Sequence, residues 1–136
     1  MPKTILITGA GSGIGRGMAS HLATLGHRVV ISDRDYETAL ETSHLIGDHA
    51  THDVFQLDVS CEESISALST RLSDDPVDVL INNAGIQHVA KLEEFPQPTW
   101  DTVVDVLLNG VARVTRACLP AMRESGYGRI INIGSI

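Results

Sequence analysis

Gly9, Gly13 and Gly15, with Gly11 between the first two, stand in the run Thr8-Gly9-Ala10-Gly11-Ser12-Gly13-Ile14-Gly15, directly behind Thr4-Ile5-Leu6-Ile7. A glycine-rich turn between a strand and a helix exposes backbone N–H groups to an anion, and a side chain there would block its approach. The chemistry implied is phosphate binding. The ATPase pattern is excluded, because Arg16 and Gly17 stand where a Lys-Ser or Lys-Thr pair is needed. The register G-x-x-x-G-x-G also differs from G-x-G-x-x-G, and a glycine turn alone is weak evidence. Asp33 strengthens it. It closes the apolar run Arg28-Val29-Val30-Ile31-Ser32, 18 residues after Gly15. That is close to the spacing at which a carboxylate takes the 2′-hydroxyl of an adenosine ribose. The competing reading of Asp33 is a solvated carboxylate at a strand end. Glycine turn and acid together imply a bound nucleotide.

The elements that must position these residues follow from hydrophobic periodicity. Strand 4–8 leads to a helix over 14–25, with Ile14, Met18, Leu22 and Leu25 on one face. Strand 28–32 leads to a helix over 36–46, with Ala39, Leu40 and Ile46 inward. Strand 53–58 leads to a helix over 62–73 carrying Ile65, Leu68 and Leu72. Strand 77–82 is nearly all apolar, as a strand covered on both faces should be. A long helix over 99–124 follows, with Val104, Leu108 and Val111 on one stripe and Val103, Leu107 and Val114 beside it. Strand 129–133 comes last. Strands alternating with helices imply βαβ units and a parallel sheet. The fold class is therefore α/β, a Rossmann-type doubly wound sheet of about five strands in three α/β/α layers. Right-handed crossovers put all strand C-termini on one edge, where ligands bind. Gly9, Asp33, Asp58, Asn83 and Ser135 fall at that edge.

Composition bounds the rest. A chain of 136 residues, 43% of them hydrophobic, is one domain with a real core. A net charge of −7 opposes a nucleic-acid or anionic-membrane partner. No apolar run approaches the about 20 residues that span a bilayer. The N-terminus lacks a signal-peptide profile, and Cys61 and Cys118 are isolated in sequence, so reduced thiols in a cytoplasmic protein are expected. His44, His49 and His52 read as a polar loop and its flanks, and no metal site is expected.

The glycine run, Leu57-Asp58-Val59, Asn82-Asn83-Ala84-Gly85 and Gly128-Arg129-Ile130-Ile131-Asn132-Ile133 together resemble the short-chain dehydrogenase/reductase family, in its order and spacing. The stretch from Asn82 through Gln87-His88-Val89-Ala90, Glu93-Glu94-Phe95-Pro96 and Trp100-Asp101 is similar to the D-3-hydroxybutyrate dehydrogenase branch. The resemblance implies an oxidoreductase moving a hydride between NAD and a small hydroxy or keto substrate such as 3-hydroxybutyrate or acetoacetate. It gives Gly9, Ser12, Gly13, Ile14 and Gly15 to the phosphates and adenosine ribose. Asp33 takes the ribose 2′-hydroxyl and favours NAD over NADP, although Arg34 beside it could pair a phosphate. Asp58 accepts from the adenine amino group, Val59 packs on the ring, and Asn83, Ala84 and Gly85 line the nucleotide. Asn82 braces neighbouring strands. Gln87 binds the substrate carboxylate, an exposed loop amide being its other reading. Ser135 is the catalytic serine. A homo-oligomer, tetrameric in the family, is implied for a completed chain.

Two departures from the family pattern stand out. Leu107 occupies the position where the family carries an asparagine, seven residues after Trp100, that helps hold a water-mediated proton relay. Asn109, two residues on, points elsewhere on a helix. The second departure is the family's Tyr-x-x-x-Lys pair. Tyr36 is followed four on by Leu40 and Tyr127 by Ile131, so neither tyrosine matches. The sequence therefore reads as the NAD-binding domain of a dehydrogenase, 1–136, truncated before that motif and inactive as written. A nucleotide-binding or interaction module without catalysis is the alternative.

Overall fold

In the central strand, Ile5 and Ile7 point to one face and Leu6 to the other, so both faces need cover. The computed structural model, which describes residues 1–135 apart from the side chain of His49, supplies it. The strands are β1 (Thr4–Ile7), β2 (Arg28–Asp33), β3 (His52–Gln56), β4 (Val79–Asn82) and β5 (Arg129–Asn132). They form one sheet in the order β3-β2-β1-β4-β5, every pair parallel. The main helices are α1 (Gly13–Thr24), α2 (Tyr36–Ile46), α3 (Glu62–Asp74), α4 (Gln97–Val104) and α5 (Val111–Ser125). Ile5, Ile7, Val29, Ile31 and Ile81 pack with Ala19, Ala23, Ala39 and Ile46 of α1 and α2. Leu6, Val30 and Leu80 pack on the opposite face with Leu68, Leu72, Val114, Cys118 and Met122 of α3 and α5. This is the expected three-layer α/β/α arrangement. Burial pushes the Cys118 thiol up to about 12, so it behaves as a small apolar side chain.

Two helix faces differ from expectation. On α1, Ile14 is 70% exposed and Leu25, at the C-cap, is 60% exposed, while Gly15, Ala19 and Ala23 are buried and Met18 and Leu22 flank them. The helix lies close against the strands, and only small residues fit that contact. The expected helix over 99–124 is continuous but changes pitch. Asp105–Gly110 is a π-helical turn between α4 and α5. From this wider turn onward the inward stripe is Val106, Gly110, Val114, Cys118 and Met122. Leu107 and Leu108 are displaced outward, to 48% and 66% exposure.

At the sheet edge where the strands begin, Arg28 donates to both oxygens of Asp75 at 2.6 Å and pairs with Asp53. Arg71 reaches the same two acids, at 3.1 and 3.2 Å. The Arg28 guanidinium beside Asp75 holds that carboxyl below the usual carboxylate range. β5 is an outer strand, and its four residues are exposed.

Candidate nucleotide site

β1 is flanked by β2 on one side and β4 on the other, so the chain reverses its winding at β1. A crevice opens at such a point beyond the strand C-termini. The turn after β1 is built to enter it. Gly9 and Gly13 have φ of +64° and +54°, values that favour glycine. A Cβ on Gly9 would stand 2.8 Å from the Ala84 backbone beyond β4. The turn and the end of β4 are locked together by hydrogen bonds. The Thr8 hydroxyl accepts from the N–H groups of Asn83 and Ala84 at 3.0 and 2.9 Å. The Asn83 amide donates to the Thr8 and Gly9 carbonyls at 3.1 Å each. α1 starts at Gly13, so its unpaired first-turn N–H groups open beside this turn.

The resulting cleft, about 500 Å³ in volume, is lined by Gly9, Ser12, Gly13, Ile14, Asp33, Asp58, Val59, Asn83, Ala84 and Gly85. Gly15, the remaining expected member, is buried beneath the turn. The exposure of Ile14 thus has a reason: it forms cleft wall rather than core. Sequence reasoning missed Asp35, Thr38, Leu57, Ile86 and Val106, which with Arg34 complete the lining. Proximity to the strand ends was the available signal for the first four. Val106 comes from the π turn, which leaves no mark in hydropathy. Asp33 Oδ2 accepts from the Gly11 N–H and Oδ1 from the Asp35 N–H, both at 3.0 Å. Asp58 Oδ1 accepts from the Ser60 N–H and hydroxyl at 2.9 and 2.6 Å. Anion donors at the glycine turn, with a preset carboxylate at either side, fit a dinucleotide.

Gln87 and Ser135 stand apart from this lining. Gln87 is exposed in the irregular stretch 83–91. The stretch is anchored farther on, where the His88 ring meets Phe95 edge-on at 5.0 Å and Phe95 meets Trp100 at 5.4 Å. Ser135 is exposed beyond β5, two residues past Ile133, whose N–H bonds the Asn82 carbonyl at 3.0 Å. It is therefore on the same sheet edge as the cleft. The Asn82 side chain donates to Thr115 Oγ1 at 3.1 Å and Asn132 Oδ1 at 2.9 Å, which ties β4 to β5 and α5. Leu107 Cδ2 lies 3.2 Å from the place a Cβ on Gly85 would take, so an apolar group covers the cleft wall there. Asn109 is exposed and donates to Asp105 Oδ1 at 3.0 Å; it does not stand in for Leu107. Hydrogen bonding from Arg113 holds the Asp105 carboxyl below the usual range. Among the described residues no cluster of His, Cys, Asp or Glu could hold a metal.

The family model for short chain dehydrogenases matches residues 3–136. The chain belongs to this family. A D-beta-hydroxybutyrate dehydrogenase from Cupriavidus necator is 36% identical over 98% of the chain and 53% of that protein. A 2-dehydro-3-deoxy-D-gluconate 5-dehydrogenase from Bacillus subtilis is 37% identical, with the same two shares covered. A gluconate 5-dehydrogenase from Burkholderia cenocepacia, solved with NADP and tartrate, superposes with a TM-score of 0.89 at 36% identity, over 98% of this chain and 53% of its own. The chain thus spans about half the length of these short-chain dehydrogenases and corresponds to their N-terminal part.

Proposed function

We propose that residues 1–136 form the nucleotide-binding domain of an NAD-dependent oxidoreductase acting on a small hydroxy or keto acid of the 3-hydroxybutyrate/acetoacetate kind. The observation that carries the reading is the Asp33 carboxylate in the cleft wall, each oxygen already holding one backbone N–H. Each oxygen keeps a lone pair for a ribose hydroxyl. A 2′-phosphate there would set like charges in contact, costing on the order of 1–3 kcal/mol in a partly desolvated site. Arg34 is the one Lys or Arg among the described lining residues and favours the opposite choice. The Burkholderia relative, solved with NADP, marks that choice as the one to test.

In this reading the glycine turn and Ser12 hold the phosphates, Asp58 meets the adenine amino group through Oδ2, and Val59 packs on the ring. Asn83, Ala84 and Gly85 line the dinucleotide toward Leu107. The nicotinamide, when bound, supplies or takes the hydride. Ser135 orients the reacting oxygen and Gln87 binds the substrate carboxylate. The identity of the Cupriavidus relative supports the acid substrate. Both cysteines are free, and among the described residues no helix is long and apolar enough to cross a membrane. The free thiols support the reducing compartment proposed for this oxidoreductase. A proton must still move at the reacting oxygen, which needs a group poised near neutral pH. Neither Tyr36 nor Tyr127 carries a lysine four positions on. That favours, as a second reading for the chain as written, nucleotide binding without turnover.

Calorimetric titration of the 136-residue chain with NAD and NADP tests the first reading. NAD binding about tenfold tighter or more is expected. Equal or tighter NADP binding would show that Arg34 governs the pocket. Mixing the chain with NAD and 3-hydroxybutyrate should give no NADH above buffer; steady turnover would remove the second reading.

A further inference from the structure

We infer that Arg16 and Thr42 are positioning residues for nucleotide selectivity, acting on the Asp33 carboxylate through the Ala10–Gly11 peptide. The inference deepens the reading of Asp33 as the ribose-binding acid and rests on it.

Arg16 belongs to α1 but is turned toward α2. Its Nε donates to Thr42 Oγ1 at 3.1 Å, and its Nη2 pairs with Glu41 at 2.8 Å and donates to the Gly11 carbonyl. Thr42 is fully buried, and its hydroxyl donates to the Ala10 carbonyl at 2.8 Å. That carbonyl belongs to the same peptide unit as the Gly11 N–H, which donates to Asp33 Oδ2 at 3.0 Å. The donors therefore run in one direction, from guanidinium to hydroxyl to peptide to carboxylate. In such a chain each bond polarises and strengthens the next. Gly11 is the residue that closes it. A Cβ there would stand 2.8 Å from Asp33 Oδ2 and overlap the Thr38 hydroxyl.

The Thr42 hydroxyl has one proton and a second acceptor within reach, the Thr38 carbonyl at 3.4 Å. By occupying the hydroxyl's lone pair, Arg16 holds its proton on Ala10. Without Arg16 the hydroxyl is released toward Thr38, the peptide loses its polarising donor, and the Gly11 N–H holds Asp33 Oδ2 less firmly, while Oδ1 stays on the Asp35 N–H. Neither Arg16 nor Thr42 lines the cleft. Loss of Thr42 should therefore change discrimination at the ribose rather than phosphate binding at the glycine turn; Arg16 also holds the Gly11 carbonyl of that turn, so the pair of variants at position 42 isolates the effect on Asp33.

The test uses ADP-ribose and 2′-phospho-ADP-ribose as probes, titrated into the 136-residue chain and its Arg16→Met, Thr42→Val and Thr42→Ser variants. The preference for ADP-ribose should fall at least fivefold in Arg16→Met and Thr42→Val and survive in Thr42→Ser, which keeps the hydroxyl. The Gly11 amide proton, followed by NMR, should move upfield and exchange faster in the first two variants only. Should Arg16→Met fail to fold, the Val/Ser pair at position 42 decides. A folded Thr42→Val chain with unchanged preference, or an unmoved Gly11 amide, overturns the inference. Failure of the unaltered chain to bind ADP-ribose overturns the reading of Asp33 itself, and this inference with it.

Discussion

At the scale of single residues, Gly15 shows how the site constrains the chain. A Cβ there would lie 2.6 Å from Asn83 Nδ2 and overlap the Gly9 carbonyl, the two groups that join the turn to β4. Gly15→Ala should destabilise the fold by about 1–3 kcal/mol, the range for overpacking. It should also weaken NAD binding more than Ala at an open position such as Gly17, where nothing lies within 4 Å of a new Cβ. Denaturant midpoints and titration of both variants check this, and equal behaviour would contradict it. Gln87 is tested in a chain joined to a family-type second half. There Gln87→Ala should lower kcat/KM for 3-hydroxybutyrate by about 1–3 kcal/mol, as for a lost bond to a charged group. Unchanged kinetics would remove Gln87 from substrate binding.

At the scale of elements, the π turn between α4 and α5 supplies the one described residue of this rod, Val106, that lines the cleft. It brings Gly110 against Val59, where a Cβ would stand 2.6 Å from Val59 Cγ2. Gly110→Ala should cost about 1–3 kcal/mol of stability and displace Val59 from the cleft wall, read as weaker NAD binding alongside a lower thermal midpoint. Strands and helices were legible because β4 is almost wholly apolar and the glycine turn punctuates β1 from α1. The faces of α1 and of the α4–α5 rod were not. Periodicity at 3.6 residues favours the bulkiest side chains, whereas α1 packs through Gly15, Ala19 and Ala23. A π turn adds a residue to one turn and leaves no mark in hydropathy. Asp33 and the strand-end cluster were legible from spacing. The Arg16–Thr42 chain was not, since its links come from α1, α2 and the glycine turn and have no common period.

At the scale of the whole molecule, the two edges of the sheet do different work. The C-terminal edge carries the cleft. The opposite edge is tied by Arg28 and Arg71 across Asp53 and Asp75, joining β2 and β3 to the end of α3. Asp75 has a lowered pKa, chiefly from its hydrogen bond with Arg28. Its contribution is therefore complete above the ordinary aspartate value of about 4 and is lost as pH falls through the lower folded value. Asp75→Asn should cost on the order of 1 kcal/mol at neutral pH, discounted for the partial exposure of the pair. That difference should shrink toward zero in strongly acidic buffer. Paired thermal melts across the acid range measure it; a gap that persists in acid would show that packing, not charge, holds this edge.

The ring contacts described beside Gln87 have an optical consequence. Trp100 is the chain's one tryptophan, so all indole emission comes from α4. Phe95 links it to His88, the residue next to Gln87. Whatever moves that stretch alters the surroundings of a single fluorophore. The protein therefore carries its own unlabelled reporter of events at Gln87, readable as a change in emission wavelength or lifetime while a substrate analogue is added.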